Sequence, residues 1–198
     1  SLPSAAGLYI LSSPIIHILF ERGAFLAEDT FYTAKVLSTF ALGLPAYILI
    51  KVLVTCFFAR EDTKTPLYIS IISVLINIVL SLLLIGTMRE MGIALATAIS
   101  SWINAILLFL ILHINNNIFL DSKLINNSFK IAISAIIMSV ACYFINQIMF
   151  SNPQDLNSFL QISSLLSIII LFCKIIYLVM IFVLKVLTFQ QLKGYIHK

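Results

Sequence analysis

The stretch IISVLINIVLSLLLIG, residues 71–86, decides the fold class, because its only polar side chains are Ser73, Asn77 and Ser81. It lies in a charge-free segment, 65–88, which matches the about 20 residues that a helix needs to cross a bilayer. A transmembrane β-strand would alternate polar and apolar residues, and this stretch does not. Lipid offers no hydrogen bonds to an open backbone, so the stretch predicts a membrane-spanning helix.

The composition of the whole chain agrees with this prediction. Of 198 residues, 61% are apolar and 10% are charged, whereas a soluble domain has about 45–50% apolar and about 25% charged residues. A soluble fold of this size could not bury so much apolar surface. The composition therefore excludes a soluble enzyme, a disordered segment and a nucleic-acid binder, and it predicts the lipid bilayer as the main partner.

Long gaps between the clusters of charged residues predict the number of helices. Six spans are predicted, at 1–20, 34–59, 66–87, 92–114, 129–150 and 160–187. The fold class is therefore all-α, a polytopic helical membrane protein. The first span starts at residue 1 without an initiator Met and is interrupted by Pro14, so we expect a chain that begins inside a helix of a larger protein. A short helical hairpin arm is the alternative.

The basic residues between the spans predict the orientation. When the loops are assigned alternately to two sides, seven Lys and Arg fall on one side and three on the other. Arg60 and Lys64 belong to the basic side, and so do Lys193 and Lys198 at the C-terminus. Because Lys and Arg are more frequent in cytoplasmic loops, the C-terminus is predicted to be cytoplasmic.

Two consecutive spans each have a stripe of polar residues. At about 100° per residue, each of two sets shares one helix face: Ser70, Ser73, Asn77 and Ser81 in one span, and Thr97, Ser100, Ser101 and Asn104 in the next. Hydrogen bonds between neighbouring helices would explain both stripes. A water-lined cavity or a cation site would explain them as well, since polar groups in a membrane face the protein interior.

Lys51 is a candidate cavity residue, because it lies within the span 34–59 and shares a face with Tyr47 and Thr55. In the same span Pro45 follows Gly43, and a proline in a helix frees a backbone carbonyl and bends the helix. A kinked helix with a buried cation suits a moving transporter. A static kink and a lysine that extends to the interface are the alternative.

Lys174 is the second charged residue within a predicted span. Ser163 and Ser167 share its helix face. A lysine at this depth faces an aqueous groove, an acidic partner or lipid phosphate, so these three residues are groove candidates.

The sequence lacks the patterns of a catalyst or a metal protein. The cysteines, Cys56, Cys142 and Cys173, form no C-x-x-C pair, and the histidines, His17, His113 and His197, are isolated. Neither a phosphate-binding G-x-x-x-x-G-K-[ST] motif nor paired carboxylates are present. We therefore predict no enzyme, no cofactor and no metal ligand set among His and Cys.

Five segments resemble one family. The segment GLPAYILIKVLVTCFFAREDTKTP, residues 43–66, is the most specific of them. The others are LPSAAGLYILSSPI at 2–15, LFERGAF at 19–25, LINIVLSLLLIG at 75–86 and MGIALATAISSWINAILL at 91–108. In this order they resemble the C-terminal portion of the lipid II flippases, the MurJ/MviN family of the multidrug/oligosaccharidyl-lipid/polysaccharide exporter superfamily.

The resemblance implies a position for each span. Members of the family have fourteen helices in two six-helix lobes and a final pair, so the spans here correspond to the ninth, truncated, through the fourteenth. Residues 1–114 would then belong to the second lobe and 115–128 would form a cytoplasmic, Asn-rich linker. Residues 129–198 would supply the last helix pair, which lines a groove for the lipid tail, and a short basic tail.

The resemblance also implies a cation site that this sequence changes. Some members bind Na⁺ with an Asn and an Asp one turn apart, a Thr of the next helix and a backbone carbonyl. Asn77, Thr97 and the carbonyl of Ile93 match these positions, and Ser81 stands where the acid would be. A hydroxyl is a weaker ligand than a carboxylate for a hard cation, which argues against Na⁺ binding by this chain.

The function implied by the resemblance is part of a lipid II flippase. Such a protein moves the undecaprenyl-pyrophosphate-linked peptidoglycan precursor to the outer leaflet of the bacterial inner membrane by alternating access. The remaining N-terminal helices of the transporter would be its partner, and the fragment alone is predicted to be inactive. A related exporter of another polyprenyl-linked glycan or of a drug, and a non-transporting remnant of a split gene, are the alternatives.

Overall fold

Every regular element is an α-helix in the described residues, 1–114, 122–149 and 159–184, of a computed structural model of the chain. The helices are α1 (Leu2–Ile10), α2 (Ser12–Phe20), α3 (Ala27–Phe58), α4 (Lys64–Met88), α5 (Glu90–Ile114), α6 (Ser122–Met149) and α7 (Phe159–Val183). The five helices α3 to α7 are long and apolar enough to cross a membrane, and α1 with α2 forms a bent pair that makes six if it is one span. The predicted all-α, polytopic membrane fold is confirmed.

The first predicted span, 1–20, is two helices bent by 67°. The bend falls at Leu11, three residues before the expected interruption at Pro14. Proline has no N–H to donate to the carbonyl of Ile10, four residues earlier, and its ring presses against that carbonyl. The residue that causes the break therefore lies inside the second helix.

Helix α3 begins at Ala27, seven residues before the predicted start at 34. The Asp29 carboxylate accepts a hydrogen bond of 2.9 Å from the backbone N–H of Leu26, so the helix starts in the polar segment that precedes the apolar one. Glu28 and Asp29 lie in the first turn, where the helix dipole favours negative charge. The polar residues Glu28 and Asp29, which precede the predicted span, therefore belong to the first turn of α3.

Helices α4 and α5 both begin two residues before the predictions of 66 and 92. One residue, Arg89, separates them, and its backbone has a φ of 50° and a ψ of −131°. A side chain is strained in this conformation, which glycine adopts more easily. The single residue Arg89 thus connects α4 directly to α5.

The unit Ser1–Phe119 is organised around α5, which packs along both α3 and α4, while α1 and α2 pack on α3. Helices α3 and α5 run parallel, because Gly43 meets Ala98 near their middle and Phe57 packs with Leu112 further along both helices. The apolar cluster at that end consists of Leu53, Phe57, Ile69, Leu108 and Leu112. Its members come from α3, α4 and α5, and they hold the three helices together.

The unit Leu120–Lys198 contains α6 and α7, which pack against each other. Helix α6 begins at Ser122, so the second part of the predicted linker 115–128 is helical, and 115–121 lie outside the described residues. Helix α7 ends at Val183 rather than 187, and 185–187 lie outside the described residues. The buried side chains of this pair are Ser134, Ala135, Met138, Cys142, Ile169, Cys173 and Ile181.

Large apolar side chains are exposed on every described helix. On α4, Leu82 and Leu83 are 71% and 69% exposed. Exposure of such continuous apolar faces to water is unfavourable, whereas contact with lipid tails is not. The exposure pattern is that of helices surrounded by a bilayer.

Candidate functional site

Asn77 is the centre of a polar cluster between α4 and α5. Its amide nitrogen donates to the hydroxyls of Thr97 at 3.3 Å and Ser100 at 3.1 Å. Its carbonyl oxygen accepts from the Ser81 hydroxyl at 3.1 Å. The two predicted polar stripes therefore meet, and Asn77 bonds across the interface.

The backbones of α4 and α5 come close together beside this cluster because Gly92 has no side chain. A Cβ at that position would lie 2.6 Å from the carbonyl oxygen of Leu84, closer than any real contact. Such a close approach lets short side chains such as Ser and Asn reach the opposite helix. The glycine in the first turn of α5 thus allows close contact of the two helices next to the turn that connects them, at the end of α5 that precedes Thr97 and Ser100.

All the candidate cation ligands lie in this cluster, and hydrogen bonds already engage them. The Thr97 hydroxyl donates to the carbonyl of Ile93 at 2.9 Å, and Ser81 donates to Asn77. The four ligand groups are uncharged, whereas protein sites for hard cations generally include carboxylates. The geometry is that of an interhelical hydrogen-bond network, the first of the two interpretations of the stripes.

Asn104 continues the α5 stripe toward the end of the helix. Its side-chain oxygen is buried without a hydrogen-bond partner among the described residues. Ser101 lies one turn away from Asn104 and donates within its own helix, to the carbonyl of Thr97 at 2.7 Å. The α5 stripe is thus bonded to Asn77 through Thr97 and Ser100, whereas the side-chain oxygen of Asn104 has no partner among the described residues.

The face of α3 that includes Tyr47, Lys51 and Thr55 is accessible in this chain. Lys51 and Thr55 are exposed, and Tyr47 is partly buried. The Thr55 hydroxyl donates to the carbonyl of Lys51 at 2.8 Å, and no carboxylate among the described residues forms an ion pair with Lys51. The three residues do share one face, and the Lys51 ammonium lies on the surface of this unit.

Gly43 and Pro45 are both buried on α3, and Gly43 lies on the side that faces α5. A Cβ on Gly43 would lie 3.3 Å from the Cα of Ala98 and 3.3 Å from the ring of Tyr47. Helix α3 continues through Pro45 to Phe58. The proline therefore lies two residues beyond the close contact of α3 with α5 at Gly43.

The groove candidates of α7 share one face. Ser167 and Lys174 are exposed, Ser163 is partly buried, and the Ser167 hydroxyl donates to the Ser163 carbonyl at 2.9 Å. On α6, Asn146 has a buried side-chain oxygen without a partner among the described residues. The contact between α6 and α7 uses Ile169 and Cys173, so Lys174 lies beside that contact and outside it.

An open cleft of about 650 Å³ lies where the start of α3 meets the α4–α5 turn. Its lining residues include Phe25, Glu28, Asp29, Tyr32, Arg89 and Glu90. Carboxylates in the first turns of α3 and α5 are where helix dipoles stabilise them. These acidic residues are therefore explained as helix-terminal charges.

The loop between α3 and α4 lies within the most specific of the family-like segments, residues 43–66. The N-cap residue of α4 is Thr63, and the Asp62 carboxylate before it accepts a hydrogen bond of 3.0 Å from the backbone N–H of Thr65. Hydrogen bonds from Thr65 lower the pKa of the Asp62 carboxyl. Glu61 has a φ of 60°, which shows how tightly the chain turns before the cap.

Sequence reasoning missed two long-range contacts. The Trp102 indole N–H donates to the carbonyl of Leu42 at 3.0 Å, across sixty positions of sequence. The Thr30 hydroxyl donates to the Glu21 carboxylate at 2.6 Å, and this bond, followed by that from His17, lowers the pKa of Glu21. Neither pair follows a local spacing rule, and the single Trp of the chain was the available signal for the first.

Comparison with known proteins places these features in a family. The family model described as "Lipid II flippase MurJ" matches residues 1–166. A protein of Rhizobium tropici named "Probable lipid II flippase MurJ" is 35% identical over 184 residues, which cover 93% of this chain and 34% of that protein.

Two further relatives match a shorter part of the chain. A Rickettsia prowazekii protein of the same name is 50% identical over 109 residues, 55% of this chain and 22% of that protein. The Thermosipho africanus "Lipid II flippase MurJ" is 38% identical over 108 residues, 54% and 23% of the two chains. The chain thus spans about a quarter to a third of the length of these relatives. A family model that matches most of the chain, together with these relatives, shows that the chain belongs to the lipid II flippase family.

Proposed function

We propose that this chain acts as the C-terminal part of a lipid II flippase, which moves the lipid-linked peptidoglycan precursor from the inner to the outer leaflet. The family match over residues 1–166 is the observation that carries the proposal. Five long apolar helices and the bent pair α1–α2 support it, because they provide a polytopic membrane domain. The role is transport rather than catalysis.

Complementation tests the proposal. The complete gene that encodes this chain is expressed in cells depleted of their own lipid II flippase, and we expect growth and precursor flipping to be restored. Failure of rescue by a protein that is detected in the membrane would contradict the proposal. A gene for an unrelated exporter, expressed at the same level, is the negative control.

The 198-residue chain alone is expected not to flip the precursor. The relatives are about two and a half times as long as this chain, and alternating access requires two lobes that rearrange around a shared cavity. Purified chain in liposomes that contain fluorescent lipid II should therefore leave the dye as protected as in protein-free liposomes. Flipping above that level would show that the remaining length is dispensable.

We also propose that the protein lies in the bacterial inner membrane with its C-terminus in the cytoplasm. The excess of Lys and Arg on the side of Arg60, Lys64 and the C-terminus supports this orientation. An alkaline phosphatase fused after Lys198 should be inactive, and one fused after Arg89 should be active. The reverse pattern would contradict the orientation.

Lys51 is proposed to face the hydrated cavity of the complete transporter, with Tyr47 and Thr55 beside it. Its exposure in this unit and its position within a long apolar helix support the role, because a charge at this depth requires water or a partner. Lys51→Met in the complete protein should reduce flipping, whereas Lys64→Met at the first residue of α4 should not. Equal activity of both variants would contradict the proposal that Lys51 faces the cavity.

Lys174, Ser163 and Ser167 are proposed to line the groove for the lipid tail on the final helix pair, α6 and α7. The exposure of Lys174 and Ser167 on one face of α7 supports this role. A photo-reactive polyprenyl lipid should crosslink to a cysteine at Ser167 in a protein whose native cysteines are replaced. Crosslinking no stronger than at Val179, which is also exposed on α7, would contradict it.

The α4–α5 cluster is proposed to join the helices without binding Na⁺. Ser81 supplies a hydroxyl where a carboxylate would be needed, and its neighbours are already bonded to one another. Exchange of K⁺ for Na⁺ should leave the melting temperature of the chain unchanged. Ser81→Asp should make it rise with Na⁺, because the new carboxylate would lie beside Asn77 and Thr97; a rise with Na⁺ in the native chain would contradict the proposal.

A further inference from the structure

Helix α3 has a built-in weak point at Pro45. Because proline lacks an N–H, the carbonyl of Ala41 has no donor four residues ahead, and the proline ring presses against it. Ala41 and Pro45 are both buried. Lipid offers no replacement hydrogen bond at this depth, so the helix is least stable against bending at this position.

The side chain of Trp102 spans this weak point from α5. Its indole N–H donates to the carbonyl of Leu42, which follows the carbonyl that lost its donor, at 3.0 Å. An indole N–H can only donate, and in an apolar environment it needs an acceptor. Trp102 itself is 38% exposed, so a single polar contact at its tip determines how firmly it is held.

The two halves of α3 are attached to α5 in different ways. Beyond Pro45, Leu53 and Phe57 are buried in the apolar cluster with Leu108 and Leu112. Before Pro45, close packing at Gly43 against Ala98 and the Trp102 bond attach the helix. An apolar cluster resists separation over its whole area, whereas one hydrogen bond is either formed or broken. We therefore expect the half of α3 before the proline, together with α1 and α2 that pack on α3, to be the one that moves relative to α5.

We propose that Trp102 is a positioning residue that holds α3 straight at a hinge centred on Pro45. Loss of the bond to Leu42 lets the half of α3 before Pro45 tilt, while the half beyond it stays packed on α5. The inference rests on the proposed alternating access, in which the bonded and released forms belong to different access states. The substrate does not touch Trp102 in this scheme.

Distances between spin labels in the chain, reconstituted in lipid nanodiscs, test the hinge. Cysteines replace the exposed Phe40 and Ile106, after Cys56, Cys142 and Cys173 have been changed to Ala. This pair reports on the half of α3 before the proline. A second pair, at Val52 and Ile106, reports on the half beyond it.

Trp102→Phe removes the N–H and keeps an aromatic ring. We expect the ratio of tilted to straight populations for the 40–106 pair to rise about fivefold, the effect of losing one hydrogen bond. The 52–106 pair should not change. Thr39→Val removes a hydrogen bond to the carbonyl of Lys35 in the same half of α3, and as the matched control it should change neither pair.

Pro45→Ala supplies the missing N–H and should remove the tilted population, with or without Trp102→Phe. An unchanged 40–106 distribution in Trp102→Phe, an equal change of both pairs, or a full Trp102→Phe effect in the Pro45→Ala background would each overturn the proposal. If Trp102→Phe does not insert into membranes, an unchanged distribution in Pro45→Ala overturns it. These distances require no lipid II, so the hinge can fail while the flippase function stands.

Discussion

The helix pairs α4–α5 and α6–α7 use similar polar residues in different ways. Between α4 and α5, Asn77 bonds to Thr97 and Ser100 of the opposite helix. In the other pair, Ser134 and Ser139 donate to carbonyls of their own helix, those of Lys130 and Ala135. The first pair is joined by hydrogen bonds of an asparagine side chain, whereas these two serines of the second pair bond within their own helix and the α6–α7 contact buries Ala135, Cys142 and Ile169.

The difference follows from side-chain chemistry. A serine has a single hydroxyl, which the carbonyl four residues earlier satisfies in any helix. An asparagine amide has two donors and an acceptor, and these cannot all be satisfied by its own helix. A serine in a membrane helix can therefore be satisfied by its own helix, whereas an asparagine has further donors with which it can bond to another helix, as Asn77 does.

Gly92→Ala should produce the largest effect, because it removes the close approach on which the α4–α5 bonds depend. The new Cβ would lie 2.6 Å from a backbone oxygen of Leu84, which cannot move away alone. We expect a loss of about 1–3 kcal/mol in the free energy of unfolding, measured by denaturation in mixed micelles. Gly86→Ala, which has nothing within 4 Å of its Cβ, is the control, and equal stability of the two variants would contradict the prediction.

Asn77→Leu compares the two helix pairs directly, because it removes the bonds across α4–α5 with little change in side-chain volume. Interhelical hydrogen bonds in membranes contribute about 0.6 kcal/mol on average and at most about 1.7 kcal/mol, and Asn77 forms several. The expected loss is about 1–2 kcal/mol in the same assay. Ser139→Ala in α6 should cost less than about 0.5 kcal/mol, since its hydroxyl bonds within its own helix; equal losses would show that the two pairs do not differ.

Thr30→Val should have the smallest effect, because its side-chain bond to Glu21 lies in a polar segment at the helix ends. The bond lowers the pKa of Glu21 below its usual value of 4.5, so its contribution is full above the usual pKa and is lost as the pH falls through the lowered one. We expect the native chain to be more stable than Thr30→Val by less than about 1 kcal/mol at pH 7.

That difference should vanish in acid, below the lowered pKa of Glu21, as measured by thermal denaturation at both pH values. A difference that persists in acid would assign the effect of Thr30 to packing. Thr33→Val, one turn of α3 further on, is the matched control.

The apolar spacing of the sequence was sufficient to predict the number of spans and the fold class. It could not predict where α3 begins, because Glu28 and Asp29 suit both a loop and a helix start, and a bond to Leu26 decides between them. The break in the first span was predicted at Pro14 but lies at Leu11, since the ring acts on a carbonyl four residues earlier.

The candidate site was partly predictable for a similar reason. Periodicity assigned Asn77 and Thr97 to facing stripes, and the structure joins them. Periodicity within a helix says nothing about which residue of a parallel neighbour lies opposite, so the contact between Trp102 and Leu42 could not be predicted. Family resemblance adds expected ligands, but it does not show that hydrogen bonds already engage them.

The one-residue turn at Arg89 has a consequence for biosynthesis. Helices α4 and α5 have 25 residues each, and no loop lies between them to be transferred separately. In the proposed orientation this turn lies on the outer side, so its charged residues Arg89 and Glu90 must cross the bilayer. We expect the two helices to insert together as a hairpin, so that the Asn77 contacts form before the rest of the bundle has been made.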